Sequence, residues 1–162
     1  MIELMDAMER VGWATMPGWV NDADSRRLRR ECESAEESGE FQRAGVGAGT
    51  NRKVREAVRS DHVLWLQTGG LAVEQELYSA RLEVLRLALN ERFFLGLFEF
   101  EGHLAIYPQG GFYKPHLDRP AGTHARIVTV ILYLNPDWQP GDGGELRLWT
   151  TCGRQEGTFE LI

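Results

Sequence analysis

A chain of 162 residues with 18 Lys plus Arg against 24 Asp plus Glu is one ordinary domain of net charge -6, large enough to bury roughly two thirds of the surface that its unfolded form exposes. That acidic balance supplies no global basic field to attract nucleic acid or anionic lipid, and no apolar run reaches the roughly 18 residues that signal a membrane span. Two cysteines, Cys32 and Cys152, give neither a metal-ligand spacing nor a disulfide framework, and the acidic, amphipathic start MIELMDAMER does not read as a signal peptide, so a reducing, cytoplasmic setting is expected.

In chain order, Trp13 to Val20 reads as a short strand running into a turn. Asn21 is placed to cap a charged helix reaching about Ser38, whose one apolar face carries Leu28, Cys32 and Ala35. Residues 43–58 mix small and basic residues without a sustained period and are expected to form a mobile loop. Within it Gly45-x-Gly47-x-Gly49 lacks the strand-to-helix setting of a phosphate cradle and is read as loop. HVLWLQTG, from His62, predicts a strand. A long helix then spans about Leu71 to Asn90, with Val73, Leu77, Leu82, Leu85 and Leu89 at helical intervals. From Phe93 the texture is that of strands: FFLGLFEFEG, HLAIYP, ARIVTVILYLN, ELRLWT and TFELI, divided by Gly- and Pro-containing turns. Helices first and strands afterwards favour an α+β domain over 1–162, an antiparallel sheet or barrel with helices on one side. Nothing in the sequence sets an oligomeric state.

The stretch from Tyr107 to Trp149 carries the chemistry. His116 and Asp118 stand at i and i+2, which at a strand end project to the same face, so an imidazole and a carboxylate can converge on one ion. A mixed nitrogen and oxygen donor set suits non-haem iron(II), whose facial triad takes two histidines and one carboxylate. Alone, an HxD tripeptide is weakly specific. Its surroundings add to it: Tyr107 precedes His116 by nine residues and Tyr113 by three, Arg126 follows by ten, and Tyr133 lies near the end of the apolar run. Gly143-Gly144 read as a turn before a strand, and Trp138 as a loop anchor. His62, His103 and His124 have no spaced partner.

The pattern YPxGxxYxxHxD, then RxxTxxxYLNxDW, then GGxLRL, resembles the prolyl 4-hydroxylase branch of the iron(II)- and 2-oxoglutarate-dependent oxygenases, especially the hypoxia-factor hydroxylases and their bacterial relatives. RSDHVLWL, Arg59 to Leu66, is similar to the family's segment before its long helix. The resemblance implies a double-stranded β-helix of the jelly-roll or cupin kind with N-terminal helices packed on one sheet. It implies His116 and Asp118 as iron ligands, Tyr107, Tyr133 and Leu146 lining the 2-oxoglutarate pocket, and Tyr113, Arg126, Asp61 and Trp65 on the substrate side. Tyr133 is the better match for the distal carboxylate. The implied reaction couples decarboxylation of 2-oxoglutarate to hydroxylation of a prolyl residue in a protein or peptide, with ascorbate as a possible reductant. The 43–58 loop would close over that peptide, and Asp61 is expected to pair with Arg126 when it docks.

The sequence departs from the family in one respect. After Asp118 the sole histidine is His124, too early for the family's second iron-binding histidine, and no basic residue occupies the motif that follows it. The expectation is a domain lacking its last strands, of weak activity and with an unpaired sheet edge. Alternatives are a non-catalytic peptide-binding module, an inactive truncated homologue, or a small-molecule hydroxylase of the same superfamily.

Overall fold

The computed structural model describes residues 1–46, 53–66, 73–119, 126–149 and 156–159. Its first helix, α1 (Ile2–Val11), stops at Gly12, whose left-handed backbone (φ +82°) lets its N–H reach the Met8 carbonyl at 2.9 Å. Turns follow where a strand was expected between Trp13 and Val20. The reason is tertiary: the Trp19 ring packs against the helical core and edge-on to Tyr78 (5.9 Å between centroids), while its carbonyl accepts from Arg81 at 3.2 Å, so this segment serves a helix and not a sheet.

Asn21 caps α2 (Asp22–Glu37) as expected, accepting the Asp24 N–H at 2.9 Å, and Asp22 and Asp24 place negative charge at the positive end of the helix. Leu28 is the buried residue of its apolar face. The long helix α3 (Val73–Phe93) lies beside α2, joined to it through Arg81–Asp24 and Gln75–Glu31. Leu85 and Leu89 of α3 enclose Met5 of α1 to form the core, with Met8, Trp19, Phe93, Leu97 and Val128 around them. Asn90 fixes the exit of α3, its side chain both donating to the Leu97 carbonyl and accepting the Leu97 N–H at 2.7 Å, so Leu97 turns back onto the helix.

A three-stranded antiparallel sheet has the order β1 (Gln42–Arg43), β4 (His62–Trp65), β5 (His103–Ile106), with Val63 opposite Ala105 and Trp65 opposite His103. Asp61 and Val63 are buried between part-exposed neighbours, an alternation that stops at Trp65, which is exposed although it lies on the Val63 side. A second pair, β2 (Gly45–Val46) and β3 (Lys53–Val54), closes a hairpin where the sequence predicts an irregular loop; Gly45 faces Val54 and Arg43 pairs with Glu56 across its base. Gly47 and Gly49 lie outside the described residues, as do Leu71 and His124. The third pair is β6 (Leu146–Trp149) with β7 (Glu156–Phe159).

Two expected strands are not ladders. Residues 94–102 and 126–135 carry no strand pairing, and Phe94 and Phe98 are about nine-tenths exposed, at 89% and 90%. An apolar alternation specifies which face a strand buries; the ladder itself needs a partner of matching register. Here 126–135 is held by side chains instead, through Thr129 to Asp118, Tyr133 to Gly144 and Arg29 to the Leu134 carbonyl. No helix among the described residues is long and apolar enough to cross a membrane.

Candidate metal and co-substrate site

The chain leaves β5 at Ile106 and turns through Pro108 to Gly111. Gly111 donates its N–H to the Pro108 carbonyl at 2.7 Å, and a Cβ at this position would stand 2.7 Å from that same oxygen, so no other residue fits the turn. After it the backbone pairs with the segment entering β4. Ser60 N–H donates to the Phe112 carbonyl (3.0 Å), Lys114 N–H to the Val58 carbonyl (2.9 Å), the Ser60 hydroxyl accepts from Phe112 N–H (2.9 Å), and Arg59 and Tyr113 form an isolated bridge. The strap fixes the approach to His116 and Asp118.

These two side chains converge. His116 Nε2 lies 3.0 Å from Asp118 Oδ1, while the other atom of each group is occupied: Nδ1 stands 2.7 Å from the Lys114 carbonyl, and Oδ2 accepts from Thr129 Oγ1 at 2.7 Å. A carbonyl can only accept, so Nδ1 carries a hydrogen, and Nε2 is the ring atom turned to the carboxylate. A nitrogen and a carboxylate oxygen this close need a proton or a cation between them. Two donor atoms at this separation subtend roughly a right angle at a first-row dication about 2.1 Å from each, which is the angle between neighbouring ligands of a facial triad. The donor set therefore fits iron(II) in two of its three protein positions. Among the described residues no group of three His, Cys, Asp or Glu side chains is assembled.

The tyrosines gather on one side. Tyr107 is half-exposed, yet its phenol is pushed up to about 12, by desolvation first and then by the Asp61 carboxylate, with Tyr113 and Tyr133 adding to the rise. It stays protonated at neutral pH and can donate. Tyr133 is likewise raised, by burial and then by Glu145, and its hydroxyl donates to the Gly144 carbonyl at 3.1 Å. Leu146 opens β6, half-buried. The Gly143-Gly144 turn beside it is anchored by Trp138, whose indole N–H donates to the Gly143 carbonyl at 2.8 Å.

The substrate-side residues divide. Asp61 is fully buried, its carboxylate held by Arg59 through both oxygens, one at 2.7 Å from Nε. Arg126, at a left-handed φ of +57°, pairs instead with Glu101. The expected Asp61–Arg126 pair is thus corrected: a nearer guanidinium two residues away along the same face takes Asp61, and Asp61 has no exposed side-chain surface to offer a peptide. Trp65 is part-exposed and packs on His103 with centroids 4.8 Å apart. Tyr113 stacks on His116, its ring 3.5 Å from the imidazole centroid and 16° from parallel. Arg59, Thr129 and Glu101 were not singled out from sequence. Arg59 was detectable by its i, i+2 relation to Asp61, and Thr129 by its place in RxxTxxxYLN; nothing marked Glu101.

Two comparisons with known proteins match this chain. The model of the 2OG-Fe(II) oxygenase superfamily matches residues 102–160, the stretch that contains both converging side chains. A crystal structure of a Pseudomonas putida prolyl-4-hydroxylase is similar at 34% sequence identity and a TM-score of 0.80, over 98% of this chain and 80% of that one.

Proposed function

Since the chain belongs to the 2OG-Fe(II) oxygenase superfamily, in its prolyl-4-hydroxylase type, we propose that it hydroxylates a prolyl residue of a protein or peptide, consuming 2-oxoglutarate and releasing succinate and CO2. The observation that carries this reading is the pair His116 Nε2 and Asp118 Oδ1, 3.0 Å apart with their remaining polar atoms already bonded. Iron(II) held there would supply the oxygen chemistry, ascorbate acting as a reductant outside the cycle.

The protein's own contributions follow from the positions of its side chains. Lys114 and Thr129 orient the two donors, the role that outer partners play around metal ligands. Tyr107 and Tyr133, protonated at neutral pH, offer phenol donors to the carboxylate of 2-oxoglutarate, with Leu146 as apolar lining. Tyr133 is the candidate for the distal carboxylate, which requires its hydroxyl to exchange the Gly144 carbonyl for the ligand. On the peptide side, Trp65 offers an exposed ring edge, and Arg126 can orient a peptide carbonyl once released from Glu101. The double-stranded β-helix belongs to the same proposal, supported by the similarity to the prolyl-4-hydroxylase structure.

Mass spectrometry of proline-containing peptides incubated with iron(II), 2-oxoglutarate and oxygen tests the reading, the expected product gaining one oxygen atom on proline in step with succinate release. Succinate release without peptide oxidation, or oxidation of a free small molecule in its place, would refute it. A second reading, a peptide-binding module without turnover, is favoured by the lack of a third ligand among the described residues. It predicts peptide binding with no iron-dependent succinate.

A further inference from the structure

His116 does not stand alone behind its donor atom. The flat faces of three side chains are layered: the Arg59 guanidinium carbon lies 4.1 Å from the centroid of Tyr113, and the Tyr113 ring lies 3.5 Å from that of His116. Two planar groups this close to one centroid cannot share a face, so Tyr113 is clasped between them. The outer layer is itself fixed. Asp61, with no exposed side-chain surface, binds Arg59 through both carboxylate oxygens, and Arg59 is only 13% exposed. Arg59 also reaches the Gly45 carbonyl at 3.5 Å, at the foot of the β2–β3 hairpin.

We propose that Arg59 is a positioning residue for the metal-binding imidazole, holding the His116 ring in place through Tyr113; this rests on the metal reading of the preceding subsection. Held only at its two nitrogens, by the Lys114 carbonyl and toward the Asp118 carboxylate, the ring can still tip about the line between them. The stack removes that motion, because rotation of the imidazole would break its parallel contact with Tyr113, and Tyr113 cannot yield while a bidentate guanidinium covers its other face. Asp61 has a second effect. An unpaired guanidinium near a bound dication would repel it, and the buried carboxylate neutralises Arg59 so that the column carries no net charge toward the site. Planarity is therefore the property the column needs. Lysine keeps the charge and loses the flat face.

The test reads His116 directly, in metal-free protein, from the side-chain NMR signals of its ring, assigned by their loss in His116→Ala. Stacking on Tyr113 shifts the imidazole protons upfield. Tyr113→Phe should keep that shift, while Tyr113→Leu and Arg59→Lys should each lose at least half of it. Should Arg59→Lys not fold, Arg59→Gln with Asp61→Asn replaces the ion pair by a neutral amide pair and should lose the shift equally. In a parallel titration with Co(II) and 2-oxoglutarate, Arg59→Lys should bind the metal about tenfold more weakly, the scale of an outer partner's contribution. Ring signals and Co(II) affinity unchanged in Arg59→Lys would overturn the positioning role. Parent protein that binds no Co(II), with ring signals that respond as expected, would overturn the metal reading beneath it.

Discussion

Replacing Asp61 by alanine should be among the costliest single substitutions in the chain. Its carboxylate has no exposed surface, and the guanidinium it holds is 13% exposed, so removal of the anion leaves a cation that is largely shut off from water. Breaking a buried pair from one side costs about 3–5 kcal/mol. Arg59 keeps a small opening to solvent, which sets the expectation at the lower end, about 3 kcal/mol. For a chain of this size that corresponds to a fall in Tm of about 6–12 °C. Urea unfolding followed by circular dichroism gives the free energy, and a thermal scan gives Tm. The double variant Arg59→Met with Asp61→Leu separates the pair from the packing, since apolar replacement of both partners removes the stranded charge. It should lie within about 1 kcal/mol of the parent, the residual loss being the contact of Arg59 with Tyr113. The reasoning is refuted if Asp61→Ala costs less than about 1 kcal/mol, or if the double variant is no more stable than the single one.

Three further outcomes are expected. Leu89, 2% exposed and packed on Met5 and Leu85, should cost about 2–5 kcal/mol when cut to alanine, read from the same urea curves. Asn21→Ala removes the cap of α2 and should cost about 1 kcal/mol, with Asn21→Ser largely restoring it. His103 is lowered from its ordinary value, chiefly by desolvation and next by Arg59. The unfolded chain therefore binds its proton first as pH falls, so the neutral ring's contribution is intact above about pH 6.5 and is lost below it, toward the folded value. In His103→Gln the decline of Tm between about pH 7 and about pH 5 should be shallower than in the parent; an identical decline would assign it to other groups.

Local signals were readable where the chemistry is local. The Asn21 cap, the helices from Asp22 and Val73, and the strand at His62 follow from side-chain oxygens, periodicity and turn residues within a few positions. So did the HxD pair, because i and i+2 on an extended segment must face the same way. What escaped the sequence depends on partners distant in the chain. The apolar run through Ile127 to Leu134 has every mark of a strand, yet pairing is decided by a neighbour of matching register and not by the run itself. Asp61 was assigned a guanidinium across the mouth when one stood two residues away; burial, which no spacing reveals, decided between them. Arg59 escaped for the same reason, since its role becomes visible only once Tyr113 and His116 are layered against it.

On the proposed function, His116 and Asp118 would hold the iron to which 2-oxoglutarate binds. Under nitrogen, a 2-oxo acid bound through both oxygens to iron(II) gives a visible charge-transfer band, so titrating the protein with iron(II) and 2-oxoglutarate reads metal and co-substrate together. The band should appear with the parent and be absent from His116→Ala and Asp118→Ala, each shown to be folded by circular dichroism. A parent that never develops it, or alanine variants that keep it, would show that this pair does not hold the metal.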